Sequence, residues 1–312
     1  MRIRATVAAV TGALALSAFA VPAAQADDSA ITREDTAKVL DAAHAAQAAA
    51  AKSGSRAAAA AVDAPYALDA SVSNVKINNG KAIVAGTTKQ VTVPTTFTLK
   101  HGAEVDINAA DFFVDVEIYK GSYEEPENIL VGDDWPTCVA VTSTTASCKA
   151  TIDVRPGDGE LWNSDAGAWS ANAYAIAFNG EDPSAADYDI TKVGYAEQSK
   201  VGSTKVQRYS KLSVNASPEP VKKGKTITVT GALTRANWDT FKYAGYTVQP
   251  VKLQFKKKGT STYVDVKTVK SGTKGALKTT VKAASDGYFR YNFAGTSTTP
   301  AVKAAGDFVD VK

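Results

Sequence analysis

Histidine is scarce in this sequence of 312 residues, which contains only His44 and His101. A Ser-His-Asp hydrolase needs a histidine beside its nucleophile, and the Gly-x-Ser-x-Gly elbow that presents such a serine is absent. The sequence also has no His-Glu-x-x-His or Cys-x-x-Cys motif, the spacings found in common zinc sites. The chain therefore shows no hydrolase triad or zinc site, and we interpret both histidines as solvent-exposed.

Long hydrophobic runs are also missing, apart from one near the start of the chain. Residues 7–20 are apolar, but a helix needs about 20 such residues to span a bilayer. The run follows Arg2 and Arg4 and precedes Ala-Gln-Ala at residues 24–26, an order typical of a cleaved secretory signal. We therefore predict a signal peptide at residues 1–26, a secreted, extracellular mature protein and no membrane span.

Cysteine occurs only twice, as Cys138 and Cys148. The two residues lie symmetrically about Ser-Thr-Thr at residues 143–145, between alternating runs that are typical of a β-hairpin. Opposite positions of an antiparallel pair bring Cα atoms to about 4.5 Å, a distance that a disulfide accepts. An even number of cysteines in an exported protein favours a disulfide. We therefore predict a structural Cys138–Cys148 bond.

Acidic and basic side chains are distributed unevenly along the chain. Residues 66–207 carry 10 lysines and arginines against 20 aspartates and glutamates, a net charge of −10. Residues 208–312 carry 19 basic and 6 acidic side chains, a net charge of +13. Such a change of sign supports a domain boundary, which we place between residues 207 and 208. We interpret the lysines mainly as solvated protection of edge strands; the alternative is a surface for anionic wall polymers or nucleic acid.

Residues 27–65 are rich in alanine and contain few large apolar side chains. Thr32 can cap the start of a helix. Glu34 and Asp35 would then lie in its first turn, where the helix dipole favours acids. Residues 37–52 have high helix propensity, and a Ser-Gly pair then ends the run. With so little to bury, we interpret the segment as a solvated helical or disordered spacer. The alternative is a partner-binding helix.

Short runs of alternating hydrophobicity fill both charged regions. Residues 210–235 show the pattern best, with two alternating runs around a segment rich in Pro and Lys at residues 217–225. Such runs predict strands with one buried face, and strands at this spacing are typical of sandwiches of about 100 residues. We therefore predict an all-β protein with two tandem immunoglobulin-like β-sandwich domains, residues 66–207 and 208–312, after the signal peptide and spacer.

Two segments of the second domain show a specific resemblance. Residues 216–246 read ASPEPVKKGKTITVTGALTRANWDTFKYAGY, and residues 285–312 read SDGYFRYNFAGTSTTPAVKAAGDFVDVK. They resemble the C-terminal immunoglobulin-like domain of secreted actinobacterial proteins with no assigned activity, some of which are described as calcium-binding. The resemblance covers nearly all of residues 209–312, and it implies a tandem sandwich without catalytic residues.

An oxygen-rich loop in the first domain is a candidate calcium site. Ca²⁺ prefers carboxylate and carbonyl oxygens gathered on loops, and residues 156–167 contain three glycines that permit a tight path. The segment does not fit the D-x-[DN]-x-[DN]-G loop. We expect that no cofactor is required; calcium is the one candidate ion, and its candidate ligands are Asp158, Glu160, Asn163 and Asp165.

Two other sets of side chains suit carbohydrate ligands. Trp135 and Trp162 lie near predicted loops beside acidic or amide residues, so they are candidates for stacking on sugars. Glycosidases use two carboxylates about 5–10 Å apart. With 20 acids in the region, chance pairs are expected, and we interpret the acids as a solvated surface. The candidate carboxylates are Glu104, Asp106, Asp111, Glu124, Glu125, Glu127, Asp133 and Asp134.

These observations together predict a secreted, non-enzymatic binding or adhesion protein. Its expected partner is a cell-wall polymer, a glycan or another extracellular protein, and we expect no nucleic acid partner. Two alternatives stay open. One is an extracellular polysaccharide hydrolase that uses first-domain carboxylates, and the other is a structural protein held on anionic wall polymers by its basic domain.

Overall fold

The computed structural model describes residues 31–53 and 63–312, and most of the described chain is β-strand. The prediction of an all-β protein is confirmed. The predicted signal peptide and part of the predicted spacer lie outside the described residues. The elements of the first part of the chain are α1 (Arg33–Ser53), β1 (Tyr66–Ala67), β2 (Ala70–Ile77), β3 (Ile83–Ala85), β4 (Val91–His101), β5 (Phe112–Gly121), β6 (Pro126–Leu130), β7 (Thr137–Thr142), β8 (Thr145–Val154), β9 (Gly167–Ala177) and β10 (Gly194–Arg208).

Ten further strands follow without a Gly/Ser-rich linker. They are β11 (Ser210–Leu212), β12 (Asn215–Ser217), β13 (Thr226–Asn237), β14 (Lys242–Gly245), β15 (Pro250–Lys257), β16 (Val264–Lys270), β17 (Ala276–Lys282), β18 (Gly287–Phe293), β19 (Val302–Lys303) and β20 (Asp307–Val309). In the described part of the chain, no helix has the length and apolar character that crossing a membrane requires.

The described chain divides into two compact units. One contains His101–Val114, Tyr174–Glu197 and the described part of Met1–Ser71. The other contains Val72–Lys100, Asp115–Ala173 and Gln198–Lys312. The predicted domain boundary between residues 207 and 208 concerns whether residues 208–312 fold independently, and it stays a prediction.

Helix α1 begins where the sequence predicts. The Asp35 amide donates to the Thr32 hydroxyl at 3.3 Å, and the Thr32 amide donates back to Asp35 Oδ2 at 3.0 Å. This reciprocal pair caps the first turn of the helix.

One face of α1 is buried, which corrects the interpretation of a fully solvated spacer. Val39 is fully buried, and Thr36, Ala43 and Ala46 are at most 7% exposed. These positions recur at helical spacing, and small side chains let a helix approach its neighbour closely without bulky residues. His44 is also not simply solvated, because its Nε2 lies 2.7 Å from Glu197 Oε2 on β10. His101 was expected at the surface as well and is only 9% exposed.

An antiparallel sheet of order β2-β4-β8-β7 carries the disulfide. Alternate residues of β4 are buried, including Val93, Phe97 and Leu99, as period-two patterning predicts. Cys138 lies directly opposite Cys148, with Cα atoms 4.1 Å apart, and the predicted bond between them is confirmed. In the chain-entropy model a loop this short contributes somewhat under ~3 kcal/mol.

A second sheet has the order β1-β10-β9-β5-β6, with β3 paired to β10. Its strand β9 is buried along most of its length. Large Tyr174 and Ile176 alternate there with small Ala173 and Ala175, and all four are at most 5% exposed. The sequence alternation of large and small residues therefore corresponds to two covered faces.

Residues 208–312 form a sandwich of two five-stranded sheets. One sheet has the order β11-β13-β12, with β14 and β17 also paired to β13, and the other has the order β16-β15-β18-β19, with β20 paired to β18. Residues from both sheets share one apolar core, including Val229 of β13, Leu253 of β15 and Tyr291 of β18. Apolar packing holds this sandwich together without a disulfide, as expected.

Hydrogen bonds connect this sandwich to preceding strands within the second unit. Trp238 is fully buried, and its indole Nε1 donates to the Gly86 carbonyl at 2.8 Å. Its amide donates to Asn163 Oδ1 at 3.0 Å. Arg208, which is 7% exposed, donates from Nε to the Ala236 carbonyl at 2.6 Å. We call the Trp238, Gly86 and Asn163 contacts the tryptophan junction.

We expect Trp238→Ala to lower the free energy of unfolding by about 3–5 kcal/mol, because it leaves a cavity and an unpaired carbonyl. Trp162→Ala is the matched control, since Trp162 is 57% exposed and its loss should cost within about 0.5 kcal/mol. Urea unfolding followed by circular dichroism measures both. Equal losses for the two variants would contradict the role of the junction.

Candidate functional site

Three of the four predicted calcium ligands make separate internal contacts, and the fourth, Asp158, is exposed. Glu160 accepts from the Arg155 amide at 2.5 Å, and its other oxygen lies 3.3 Å from Arg155 Nη1. Asp158 is exposed at the end of a short 3₁₀ helix. The Trp238 backbone amide donates to Asn163 Oδ1, and the Asn163 backbone amide donates to Asp239 Oδ1 at 2.8 Å.

Asp165 is buried in the turn before β9. It is only 3% exposed, and its Oδ2 accepts from the Trp162 amide at 2.7 Å and from Asn128 Nδ2 at 3.0 Å. Burial raises the pKa of Asp165, and the hydrogen bonds from Trp162 and Asn128 only partly offset that rise. The side chain therefore stabilises a local turn.

The grouping that the calcium prediction requires is not formed. Within residues 31–53 and 63–312, no three His, Cys, Asp or Glu side chains are arranged to hold a metal ion. The physical reason is that partners distant in sequence, such as Asn128 and Asp239, engage the predicted ligands. Calcium binding itself stays a prediction.

Asp153, near the end of β8, has the opposite electrostatic environment to Asp165. Burial alone raises the pKa of Asp153, but hydrogen bonds from Thr92, the Asp133 amide and Gln90 outweigh it, together with the charge of Arg155. The net result is a lowered pKa. The Asp133 amide and Gln90 Nε2 each lie 3.0 Å from this carboxylate.

The tryptophans that were predicted to bind sugars differ in exposure. Trp162 is 57% exposed, whereas Trp135 is half-buried. Trp169 is buried, and its indole Nε1 donates to the Asp165 carbonyl at 2.7 Å. Trp162 is therefore well placed to contact a ligand, and sugar binding by Trp135 and Trp162 stays a prediction.

The most distinctive exposed apolar feature is strand β7, Thr137–Thr142, which we call the valine edge. Val139 and Val141 are 70% and 66% exposed. Strand β7 lies at the end of its sheet, so no described strand pairs with its outer edge. Unpaired amide and carbonyl groups along that edge can receive another strand.

Sequence reasoning placed β7 in a hairpin but did not identify its valines as exposed. The signal was available in the disulfide. Cys138 faces Cys148, which is fully buried, so Val139 must point to the opposite face, where it lies beside exposed Ser147. The cysteines thus set which face of the hairpin is outward.

Strand β16, an edge strand of the 208–312 sandwich, provides a contrast. It also has exposed valines, Val264 and Val266, but they alternate with Asp265 and Lys267. Charges on an edge discourage pairing with another chain. The valine edge has no charged residue and no proline, and its only protection is a register irregularity between Ala140 and Thr142.

The first unit contains an acidic cavity of about 210 Å³. Its lining includes Asp69 and three of the predicted glycosidase carboxylates, Glu104, Asp106 and Asp111. Asp106 accepts the Asn108 amide at 2.9 Å and Asp111 accepts the Gly180 amide at 2.6 Å. Across the described ranges, no lysine, arginine or histidine forms an ion pair with these four acids.

Comparison with known proteins gives only distant matches. No family model matches the chain, and no curated protein does. The titin I-band fragment I67–I69 is 8% identical, with a TM-score of 0.29, over 79% of this chain and 67% of that chain. Three N-terminal domains of the bacteriophage RB49 outer capsid protein Hoc are 11% identical, with a TM-score of 0.29, over 78% and 70%. The Yersinia pseudotuberculosis adhesin InvE is 12% identical, with a TM-score of 0.22, over 77% and 58%. Similarity this low carries no conclusion about function.

We expect Asp153→Asn and Asp165→Asn to have opposite pH dependence. The native pKa of Asp153 lies below its ordinary value of 3.8, so its contribution to stability is present above that value and is lost as the pH falls through the native pKa. The native pKa of Asp165 lies above 3.8, so its carboxylate is unfavourable at neutral pH and protonation relieves this cost.

Urea unfolding between about pH 3 and pH 7 tests both variants against the parent protein. The stability lost by Asp153→Asn should shrink as the pH falls. For Asp165→Asn, any gain in the free energy of unfolding relative to the parent protein should be largest at neutral pH and should vanish in acid. The same direction of change in both variants would contradict the assigned environments.

Proposed function

We propose that this is a secreted, non-enzymatic binding or adhesion protein whose valine edge receives an extended segment of another extracellular protein. The observation that carries this proposal is the uncharged edge strand with two valines more than 60% exposed. Exposed apolar groups of this kind mark interaction sites more often than isolated surface residues do.

Strand addition explains why both the backbone and the side chains of β7 matter. An added strand gains main-chain hydrogen bonds along the open edge, and alternate side chains supply specificity. Fully burying a valine contributes about 1.5–3 kcal/mol, so covering Val139 and Val141 adds appreciably to such an interaction. The edge therefore combines a general backbone contact with a local apolar contact.

The disulfide supports this role mechanically and by its chemistry. It joins Cys138 of β7 to Cys148 of β8, so the edge strand is covalently attached to its neighbour. A partner that pairs with β7 then cannot separate it from the sheet at that position. Disulfides persist in oxidising compartments, which agrees with the predicted export of the protein.

We expect the double variant Val139→Lys, Val141→Lys to weaken strand binding at least tenfold, because two charges on the edge oppose pairing and burial. The probe is a fluorescent peptide of alternating Thr and Val with a terminal Lys at each end, measured by anisotropy. The matched control is Val264→Lys, Val266→Lys on the charged edge of β16, which should change affinity less than twofold.

A second peptide, N-methylated at alternate residues, tests the backbone contact because it cannot donate the same hydrogen bonds. Its binding should be at least tenfold weaker than that of the parent peptide. Equal binding of both peptides, or equal weakening by the control variant, would overturn strand addition. If sedimentation shows a stable dimer of the parent protein and the peptide does not bind, the valine edge pairs with a second copy of this chain instead.

The acidic cavity supports the alternative of a polysaccharide hydrolase, because it gathers Glu104, Asp106 and Asp111 in one concave site. Under our proposal the mature protein releases no reducing ends from polysaccharides. Turnover that Glu104→Gln, Asp106→Asn or Asp111→Asn abolishes would favour the hydrolase. Glu124→Gln is the matched control, since Glu124 is exposed and does not line the cavity.

A further inference from the structure

Two edge strands of the 208–312 sandwich lie side by side. Strand β16 ends one sheet, and β17 pairs only with β13 in the other among the described strands. A short turn joins them, and Lys267 Nζ of β16 donates to the Thr280 carbonyl of β17 at 2.8 Å. This side of the sandwich therefore presents two neighbouring strands to solvent.

Lysines are frequent on these two strands. Lys278 and Lys282 alternate with core-facing residues of β17, and Lys270 follows core-facing Val269 of β16, so these lysines project from the outer surfaces of both sheets around this edge. Lys225 lies next to β17, because the amide of Ala283, one residue beyond that strand, donates to the Lys225 carbonyl at 2.8 Å. All six lysines are exposed, and none forms an ion pair within the described chain. We call this set the lysine face; it consists of Lys225, Lys267, Lys270, Lys274, Lys278 and Lys282.

Acidic side chains do not neutralise the lysine face. Asp265 is the only acid on β16 or β17, and it is already engaged by Lys252 at 2.6 Å and by Gln254 at 2.7 Å. The lysine face therefore keeps a net positive charge, and a polyanion can pair one anion with each lysine that it covers.

The kind of cation favours a flexible polymer over a shaped pocket. The face contains no arginine, whose planar fork binds one carboxylate or phosphate specifically, and lysine instead acts as a mobile point charge. Lys278 and Lys282 lie four residues apart on one strand, about 13 Å from the rise of a strand. Separated charges of this kind suit a ligand with anions repeated along its length.

We propose that the lysine face binds a linear polyol-phosphate polymer, whose phosphodiester anions repeat along a flexible chain. Each phosphate is paired by a separate ammonium group, and counterions released from the polymer contribute to affinity. This interaction is independent of the valine edge, because it uses charged side chains of the 208–312 sandwich, whereas β7 lies in the sheet β2-β4-β8-β7. It would hold the protein on an anionic surface and leave β7 available.

The test measures binding of the full mature protein to poly(glycerol phosphate) by biolayer interferometry across a series of NaCl concentrations. We expect the triple variant Lys270→Gln, Lys278→Gln, Lys282→Gln to weaken binding at least tenfold at low salt. The magnitude of the slope of log affinity against log salt should fall by about 2, because each of the three lost phosphate contacts contributes ~0.7. Circular dichroism melting confirms that each variant is folded.

The control variant Lys242→Gln, Lys257→Gln, Lys303→Gln removes the same charge from exposed positions elsewhere in the sandwich. It should retain affinity within threefold and change the slope by less than about 0.5. Equal effects of the two triple variants would overturn a localised face and leave only net charge. Binding to polygalacturonate or duplex DNA that exceeds binding to the polyol phosphate would overturn the assigned ligand.

Discussion

The tryptophan junction is the contact on which the arrangement of the second unit depends. Trp238 follows β13 directly, is fully buried, and reaches Gly86 through its indole nitrogen. A buried indole N–H without an acceptor would carry a desolvation penalty, so this position is coupled to the strand beside Gly86. Asn163 adds a second connection through the Trp238 amide. The strands that carry the valine edge are thereby joined to the basic sandwich by specific contacts instead of a flexible linker.

The loop after β8 shows how one acidic segment can serve several structural purposes. Glu160 pairs with Arg155, Asp165 holds the turn before β9, and Asn163 completes the tryptophan junction. The same oxygen-rich composition that suggests a cation site is used here for internal hydrogen bonds. Asp153 and Asp165 show two different electrostatic environments, although both are buried. Hydrogen-bond donors lower the pKa of Asp153, whereas burial raises the pKa of Asp165.

Two edges within the second unit differ in chemistry in a way that suits two kinds of contact. The valine edge is neutral and leaves a backbone ladder open, so it fits a polypeptide strand. The lysine face has repeated charge and little shape, so it fits a polyanion. On β16 the charged residues also prevent strand pairing, since edge lysines are a common protection against aggregation. Protection and polymer binding are compatible, because both need exposed cations.

The sequence alone indicated many of the strands, although not β6 or β14, and it predicted where the disulfide forms. Period-two alternation is a local property, so runs such as residues 173–178 could be predicted as covered strands. The symmetric placement of Cys138 and Cys148 likewise required only a hairpin. Tertiary structure alone decided that Asp165 is buried and that α1 has a covered face. Alternation defines two faces of a strand without saying which one is covered, and the partners of Asp165 and Asn163 lie far away in the chain, at Asn128 and Asp239.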